Sequence, residues 1–344
     1  MSSDGASRPG AVGTPPQHYG NPLAEQRALA AGDAIVDLSD RAVITITGPD
    51  RLTWLDSLTS QSLKGLQPGE SAETLLLDPT GHLEYAMRVV DDGEITWLLV
   101  DGAEGPPLAA WLDRMRFMLR VEVADRSDEF TTIGTLGTPD LPAVVTWVDP
   151  WQAGPGHTYA ESRPDAPWSY RELVVPRSAD LDTLPVAGTL ALEALRIAAW
   201  RPRLATEADE KSIPHELDWL RSAVHLNKGC YRGQETVAKV HNLGHPPRRL
   251  VMLHLDGSDG VVPAPGSSVL LGDGVVGRVT SSALHFELGP VALAVIKRNV
   301  DPAAALDVMA DELHIAAAQE VIVPTDAGAE ANVPRLPRLG AVTR

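Results

Sequence analysis

Lys228-Gly229-Cys230-Tyr231-Arg232-Gly233-Gln234-Glu235 is the stretch on which the reading of this chain turns. It holds the only cysteine among 344 residues. That cysteine sits between two glycines and among Lys228, Arg232 and Gln234. Structural cysteines keep apolar company, so this composition places the octapeptide on a loop. A neighbouring cation favours thiolate over thiol. Flanking glycines allow tight turns and let a ligand or partner approach the backbone closely. Two readings of Cys230 stand side by side: an inert small side chain, or the one reactive atom of the chain.

Moving outward, the β-branched run 42–47 reads as a strand, stopped by Gly48-Pro49-Asp50, and a helix follows with Leu52, Leu55 and Leu58 on one face. Strands are expected at 73–77, 83–90 and 95–100, separated by Asp-Pro-Thr-Gly and Asp-Asp-Gly turns. A helix is expected at 105–117 and a strand at 120–124. Further strands are expected at 132–136, 143–148 and 170–175, then a buried helix at 188–200 whose only charges are Glu193 and Arg196. Residues 152–167 read as a long loop. This is no regular β–α alternation, which argues against a doubly wound sheet. From about residue 244 short strands split by glycines, at 250–255, 268–271, 275–280 and 291–296, suggest a small antiparallel barrel.

The expected organisation is a disordered tail over 1–21 and a first α+β domain over 22–130. A second α+β domain over 131–243, able to interleave with the first, carries the octapeptide. A C-terminal barrel covers 244–323, with a loose tail over 324–344. The chain carries 29 Lys and Arg against 46 Asp and Glu, a net charge of −17. That balance disfavours direct binding to nucleic acid or anionic membrane, although Arg248, Arg249, Lys239 and Lys228 offer a local basic patch. One cysteine makes no internal disulfide and no single-chain iron–sulfur or zinc centre. No apolar run is long enough for a signal peptide or a spanning helix, so cytoplasmic residence is expected.

The octapeptide resembles the signature of the YgfZ family, whose members resemble the folate-binding T-protein of glycine cleavage and are linked to iron–sulfur cluster assembly or repair. Residues 48–59, Gly-Pro-Asp-Arg-Leu-Thr-Trp-Leu-Asp-Ser-Leu-Thr, are similar to the helix start near the beginning of these families. Residues 277–283 and 292–295 are similar to their C-terminal barrel. The resemblance implies an α+β fold: two α+β domains of the aminomethyltransferase folate-binding type, plus a small C-terminal antiparallel β-barrel, around a folate-sized cavity.

It also implies sites. Cys230 is the expected working thiol, its thiolate favoured by Lys228 and Arg232. Gly229, Tyr231, Gly233, Gln234 and Glu235 would position a ligand or partner. Arg196, Trp200, Arg201, Arg203 and Tyr85 are candidate contacts for tetrahydrofolate. The arginines of Trp200-Arg201-Pro202-Arg203 either grip an anion such as the folate glutamate or are surface residues at a helix end.

Two positions depart from the T-protein pattern. The carboxylate expected after the Gly81 turn falls on Tyr85 and Ala86, with Glu84 one residue off and so on the opposite strand face. Ala198 stands where the pterin-binding glutamate is common. Glu207, Asp209 or Glu210 would replace it, unless those acids form a solvated loop. Cys230, His241 and His245 offer metal-ligand types, but Gly244 and Pro246 bracket His245 and no fourth ligand is evident, so no metal is assigned.

The expected function is support of iron–sulfur enzyme assembly or repair. Expected partners are folate or a related small molecule, and iron–sulfur enzymes or assembly proteins. Any influence on tRNA modification would run indirectly through such an enzyme. The alternatives are a folate-dependent aminomethyltransferase or demethylase, and a non-catalytic adaptor.

Overall fold

The computed structural model describes residues 8–161, 163, 166–258 and 260–331. The first sheet contains β2 (Arg41–Thr47), β3 (Ser71–Leu77), β4 (Leu83–Asp91), β5 (Ile95–Asp101) and β6 (Glu122–Asp125), in the order β3-β4-β5-β2-β6. Its pairings are all antiparallel. Strand alternation explains its apolar runs. Val43, Leu75, Leu77, Val90, Trp97 and Leu99 face the central core. Ala42, Ile44, Leu76, Met87, Val89 and Leu98 face a second cluster. That cluster is closed by Trp54 and Leu55 of α2 (Arg51–Leu58) and by Leu108 and Leu112 of α3 (Gly105–Met115). Two prolines open α3, where a missing N–H costs nothing.

The second sheet runs β10-β1-β7-β9-β8. Its strands are β1 (Ile35–Asp37), β7 (Phe130–Thr135), β8 (Val145–Val148), β9 (Arg171–Pro176) and β10 (Val186–Ala187). β1 and β10 are parallel and the rest antiparallel. β1 precedes the first sheet in the chain yet lies between β7 and β10 of the second. A strand that precedes the first sheet in sequence thus belongs to the second.

The barrel closes six antiparallel strands in the order β11-β14-β13-β12-β15-β16. They are β11 (Arg248–Leu255), β12 (Ser268–Leu271), β13 (Gly274–His285), β14 (Gly289–Lys297), β15 (Leu306–Ala310) and β16 (Leu313–Val321). Val251, Leu253 and Leu255 point into it, while Leu250 and Met252 point out and join the central core.

Near both ends the described residues make defined backbone contacts. Pro16 and Gln17 carbonyls accept the first N–H groups of α4 (Thr189–Ala198), those of Thr189 and Leu190, at 2.9 and 3.0 Å. These are donors a helix cannot satisfy itself. A Cβ on Gly188 would lie 2.1 Å from the Gln17 carbonyl oxygen, so only glycine lets the strap pass. At the other end, the N–H groups of Ala329, Glu330 and Ala331 reach the last carbonyls of α6 (Gln234–Leu243), those of Val240, His241 and Asn242. The tail expectations for 1–7 and 332–344 lie outside the described residues.

Candidate functional site

The octapeptide bridges the end of a buried turn and the start of α6. Gly233 has φ +81° and immediately precedes the helix. A Cβ there would lie 2.7 Å from the Asp78 carbonyl oxygen and 3.0 Å from the Gly81 Cα, so the loop is docked on the β3–β4 turn glycine to glycine. Gly229 is the opposite case: nothing lies within 4 Å of its would-be Cβ. Cys230 is exposed. Tyr231 is buried, and burial pushes its phenol well above the ordinary range. Glu235 is exposed, and Gln234 donates to the Lys228 carbonyl at 3.4 Å, bracing the loop across its own base.

The two cations expected to serve the thiolate are committed elsewhere. Lys228 is drawn inward by the orphan carbonyls at the C-terminal end of α2. Its Nζ donates to the carbonyls of Asp56, Thr59 and Gln61 at 2.5, 2.8 and 2.6 Å. It also lies 3.5 Å from the Asp56 carboxylate, with 2% of the side chain exposed. Its ammonium stands 5.4 Å over the Tyr231 ring. Arg232 pairs with Glu84 and stands 5.8 Å over Trp111. Glu84 is free to do so because β4 bulges: Tyr85 faces Leu76, Leu83 faces Leu77, and Glu84 is the extra residue. Tyr85 packs on the α3-side cluster and does not line the main cavity.

The main cavity, about 490 Å³, lies between the two sheets and α4. Ala86 and Arg88 of β4, Arg41, Glu73, Asp149, Glu104, Glu193 and Arg196, with Arg201 and Arg203, line it. Its wall is a set of buried ion pairs. Glu172 holds Arg41 and Arg88 at 3.1 and 3.0 Å and accepts the Tyr170 hydroxyl at 2.8 Å. Burial alone would raise Glu172, but the two arginines outweigh it and hold the carboxyl below its ordinary value. Arg201 is gripped by Glu73 at 2.6 Å and Asp149 at 2.8 Å. With two carboxylates on one guanidinium, burial wins at Asp149 and raises it. Burial raises Glu104 as well and lowers Arg203. The expected anion grip is therefore half-spent: Arg201 is neutralised, and only its Nη1 lacks a protein partner. Arg203, partly exposed, is held loosely at 3.6 and 3.9 Å by Asp101 and Glu193.

Other expectations are redrawn. Trp200 is buried in the core and does not line the cavity. Ala198 is buried off the cavity wall, and the carboxylate that α4 presents there is Glu193, ion-paired to Arg196. Glu207 is no solvated acid: fully buried, it pairs with Arg196 at 2.9 Å and accepts from Thr280 and Ser281 of the barrel. Asp209 pairs with Arg248. Arg248 is thereby neutralised and Arg249 is buried, so neither feeds the expected basic patch. His245 Nδ1 lies 2.8 Å from the Ala327 carbonyl oxygen. Among the described residues no three His, Cys, Asp or Glu side chains are placed to hold a metal ion, and no helix is long and apolar enough to cross a membrane.

Sequence reasoning missed Arg41, Glu73, Arg88, Glu104, Asp149 and Glu172. A usable signal existed: charged residues inside otherwise apolar strands, as Glu73 and Arg88 are, must be paired when buried.

No family model matches the chain. It is 25% identical over 300 residues, 76% of its own length and 66% of the relative's, to a chloroplastic Arabidopsis thaliana protein described as a transferase. It is 27% identical over 312 residues, 82% of this chain and 81% of the other, to an aminomethyltransferase of Nostoc. It is 27% identical over 236 residues, 62% of this chain and 55% of the other, to a mitochondrial iron–sulfur cluster assembly factor IBA57 homolog of Mycosarcoma maydis. The glycine cleavage system aminomethyltransferase T of Bartonella henselae has the same fold, with a TM-score of 0.69 and 16% identity over 90% of this chain and 91% of the other. The expected fold is thus found: the aminomethyltransferase architecture with its closed antiparallel barrel.

Proposed function

We propose that this chain is a YgfZ-type protein on an aminomethyltransferase scaffold that supports assembly or repair of iron–sulfur enzymes, with Cys230 as its working thiol. The observation that carries this reading is the exposed sulfur on a loop fixed from both sides. Lys228 is buried under it and Gly233 is docked on Gly81. Such a loop presents a thiol at constant geometry to another protein, rather than to the interior. The octapeptide and the likeness to the iron–sulfur assembly factor support the client class. Cytoplasmic residence, and any effect on tRNA modification through a client enzyme, belong to this reading.

The central cavity supports tetrahydrofolate or a related flat heterocycle as its ligand. Its volume lies within the range of small-molecule sites. Arg88, Arg201 Nη1 and Arg203 offer donors, and Glu104 and Glu193 offer acceptors, to a ring carrying both. A bound folate supplies one-carbon carriage. Tyr85 and Ala86 carry no carboxylate, and the β4 bulge turns Glu84 to Arg232 instead, which disfavours the folate-dependent transferase reading.

The test is Cys230→Ser in a strain lacking the native gene. Iron–sulfur enzyme activities should stay as low as in the deletion strain, with protein level and folding unchanged. Full activity would remove the thiol from the mechanism and leave the adaptor reading.

A further inference from the structure

At the end of α3 the chain turns through Phe117, a bulky residue at φ +46°, a conformation such residues adopt only under constraint. The turn puts three consecutive apolar side chains outside: Phe117, Met118 and Leu119 are 79, 98 and 45% exposed. Arg114, Arg116 and Arg120 flank them, and with Asp113 the stretch 113–120 carries a net charge of +2 on a chain of net −17. Asp113 holds Arg116 at 3.2 Å and Asp50 holds Arg120 at 2.9 Å, yet Arg120 remains 74% exposed. Arg232 of the cysteine loop stands 5.8 Å over Trp111, on the helix that leads into the tip. Trp111 lies four residues, about 6 Å of helix, before the end of α3 at Met115, and Phe117 follows two residues further on.

We propose that Phe117–Leu119, rimmed by Arg114, Arg116 and Arg120, is a docking tip for a folded protein partner that offers an apolar pocket with an acidic rim. Exposed apolar clusters ringed by charge mark interaction sites, and the local positive island selects an acidic counterpart. A bilayer is the weaker occupant, since the −17 chain is repelled by anionic lipid and one three-residue tip buries little. The tip stands independently of any role for the Cys230 sulfur, and Cys230→Ser leaves it intact.

The experiment uses the full chain in its native host with a photo-crosslinking amino acid at Met118, and at Val275 on the barrel, 55% exposed, as control. The expected result is one discrete adduct at 118 and none at 275, identified by mass spectrometry as an acidic protein, and reduced about tenfold by Arg114→Glu with Arg116→Glu. Phe117→Ser in the same chain should reduce it likewise, with the thermal midpoint unchanged. An adduct indifferent to charge reversal, an adduct with a second copy of this chain, equal adducts at both positions, or no adduct would each overturn the proposal. So would binding of the purified chain to phosphatidylglycerol vesicles that depends on Phe117.

Discussion

Arg232 Nη1 lies 2.5 Å from Glu84 Oε2, tying the cysteine loop to the one strand residue that the β4 bulge leaves without a partner in register. The pair is about one-third exposed on each side. Water therefore screens it, and its value to stability is small, below about 1 kcal/mol. Its effect is geometric: it fixes where the loop sits over β4, two residues before Ala86 enters the cavity wall.

Lys228→Met should destabilise the protein although the lysine lies beside an exposed loop. It would strip three carbonyls of α2 and its end of their donor. Buried acceptors left unpaired cost about 1–3 kcal/mol. Urea unfolding should show this loss, and labelling of native Cys230 by a thiol reagent should become heterogeneous. An unchanged midpoint would mean that the ammonium is not held where the structure holds it.

The two glycines of the octapeptide should respond oppositely to alanine. Gly233→Ala forces a Cβ to within 2.7 Å of the Asp78 carbonyl oxygen at positive φ and should cost upward of about 1 kcal/mol. Gly229→Ala meets open space and should leave the melting curve in place. If it nevertheless lowers iron–sulfur enzyme activity in cells, the open space is where a partner comes.

Arg201→Met should be among the most damaging single changes in the cavity. It abandons Glu73 and Asp149 together in a buried setting. Removing one member of a buried ion network costs about 3–5 kcal/mol. Arg203→Met, held only at 3.6 Å and beyond, should be nearly neutral for folding. A drop in tetrahydrofolate affinity for Arg203→Met, measured by calorimetry, would identify it as the ligand contact.

Two buried groups set opposing pH dependences. Burial, aided by His241 and His157, drives His215 down from 6.5 to about 3. Between those values the unfolded chain binds the extra proton, so this contribution weakens as pH falls, by up to about 1.4 kcal/mol per pH unit. Burial, opposed by Arg221, drives Asp218 up from 3.8 to about 7. Here the native state keeps the proton longer, so stability is lost as pH rises through that window. The two largely cancel where they overlap. Relative to the wild type, His215→Gln should gain stability on acidification below neutrality and Asp218→Asn should lose it. Parallel curves for all three proteins, in urea melts across the window, would refute both shifts.

Much of the architecture was legible because period-two alternation and turn residues mark strands directly. The first sheet and four barrel strands fall where runs such as 42–47 and 291–296 place them. Less visible were β1, too short at three residues to show a period, and α6, whose Gly233 reads as a loop residue until its positive φ is seen as a helix start. At the site, the exposure of Cys230 followed from its neighbours' polarity. The roles of Lys228 and Arg232 did not. Which carbonyl or carboxylate claims a cation depends on residues far away in sequence, here Asp56 and Glu84. The same holds for Glu207, whose partners lie on the barrel.

The helix that begins just after the thiol is completed by Ala329, Glu330 and Ala331, the last described positions. While the chain is being synthesised, α6 thus leaves the ribosome before the residues that take up its last carbonyls, and its C-terminal end is completed only after the barrel strands have been made. A product truncated before residue 329 would leave the Val240, His241 and Asn242 carbonyls without these donors and let that end of the helix fray.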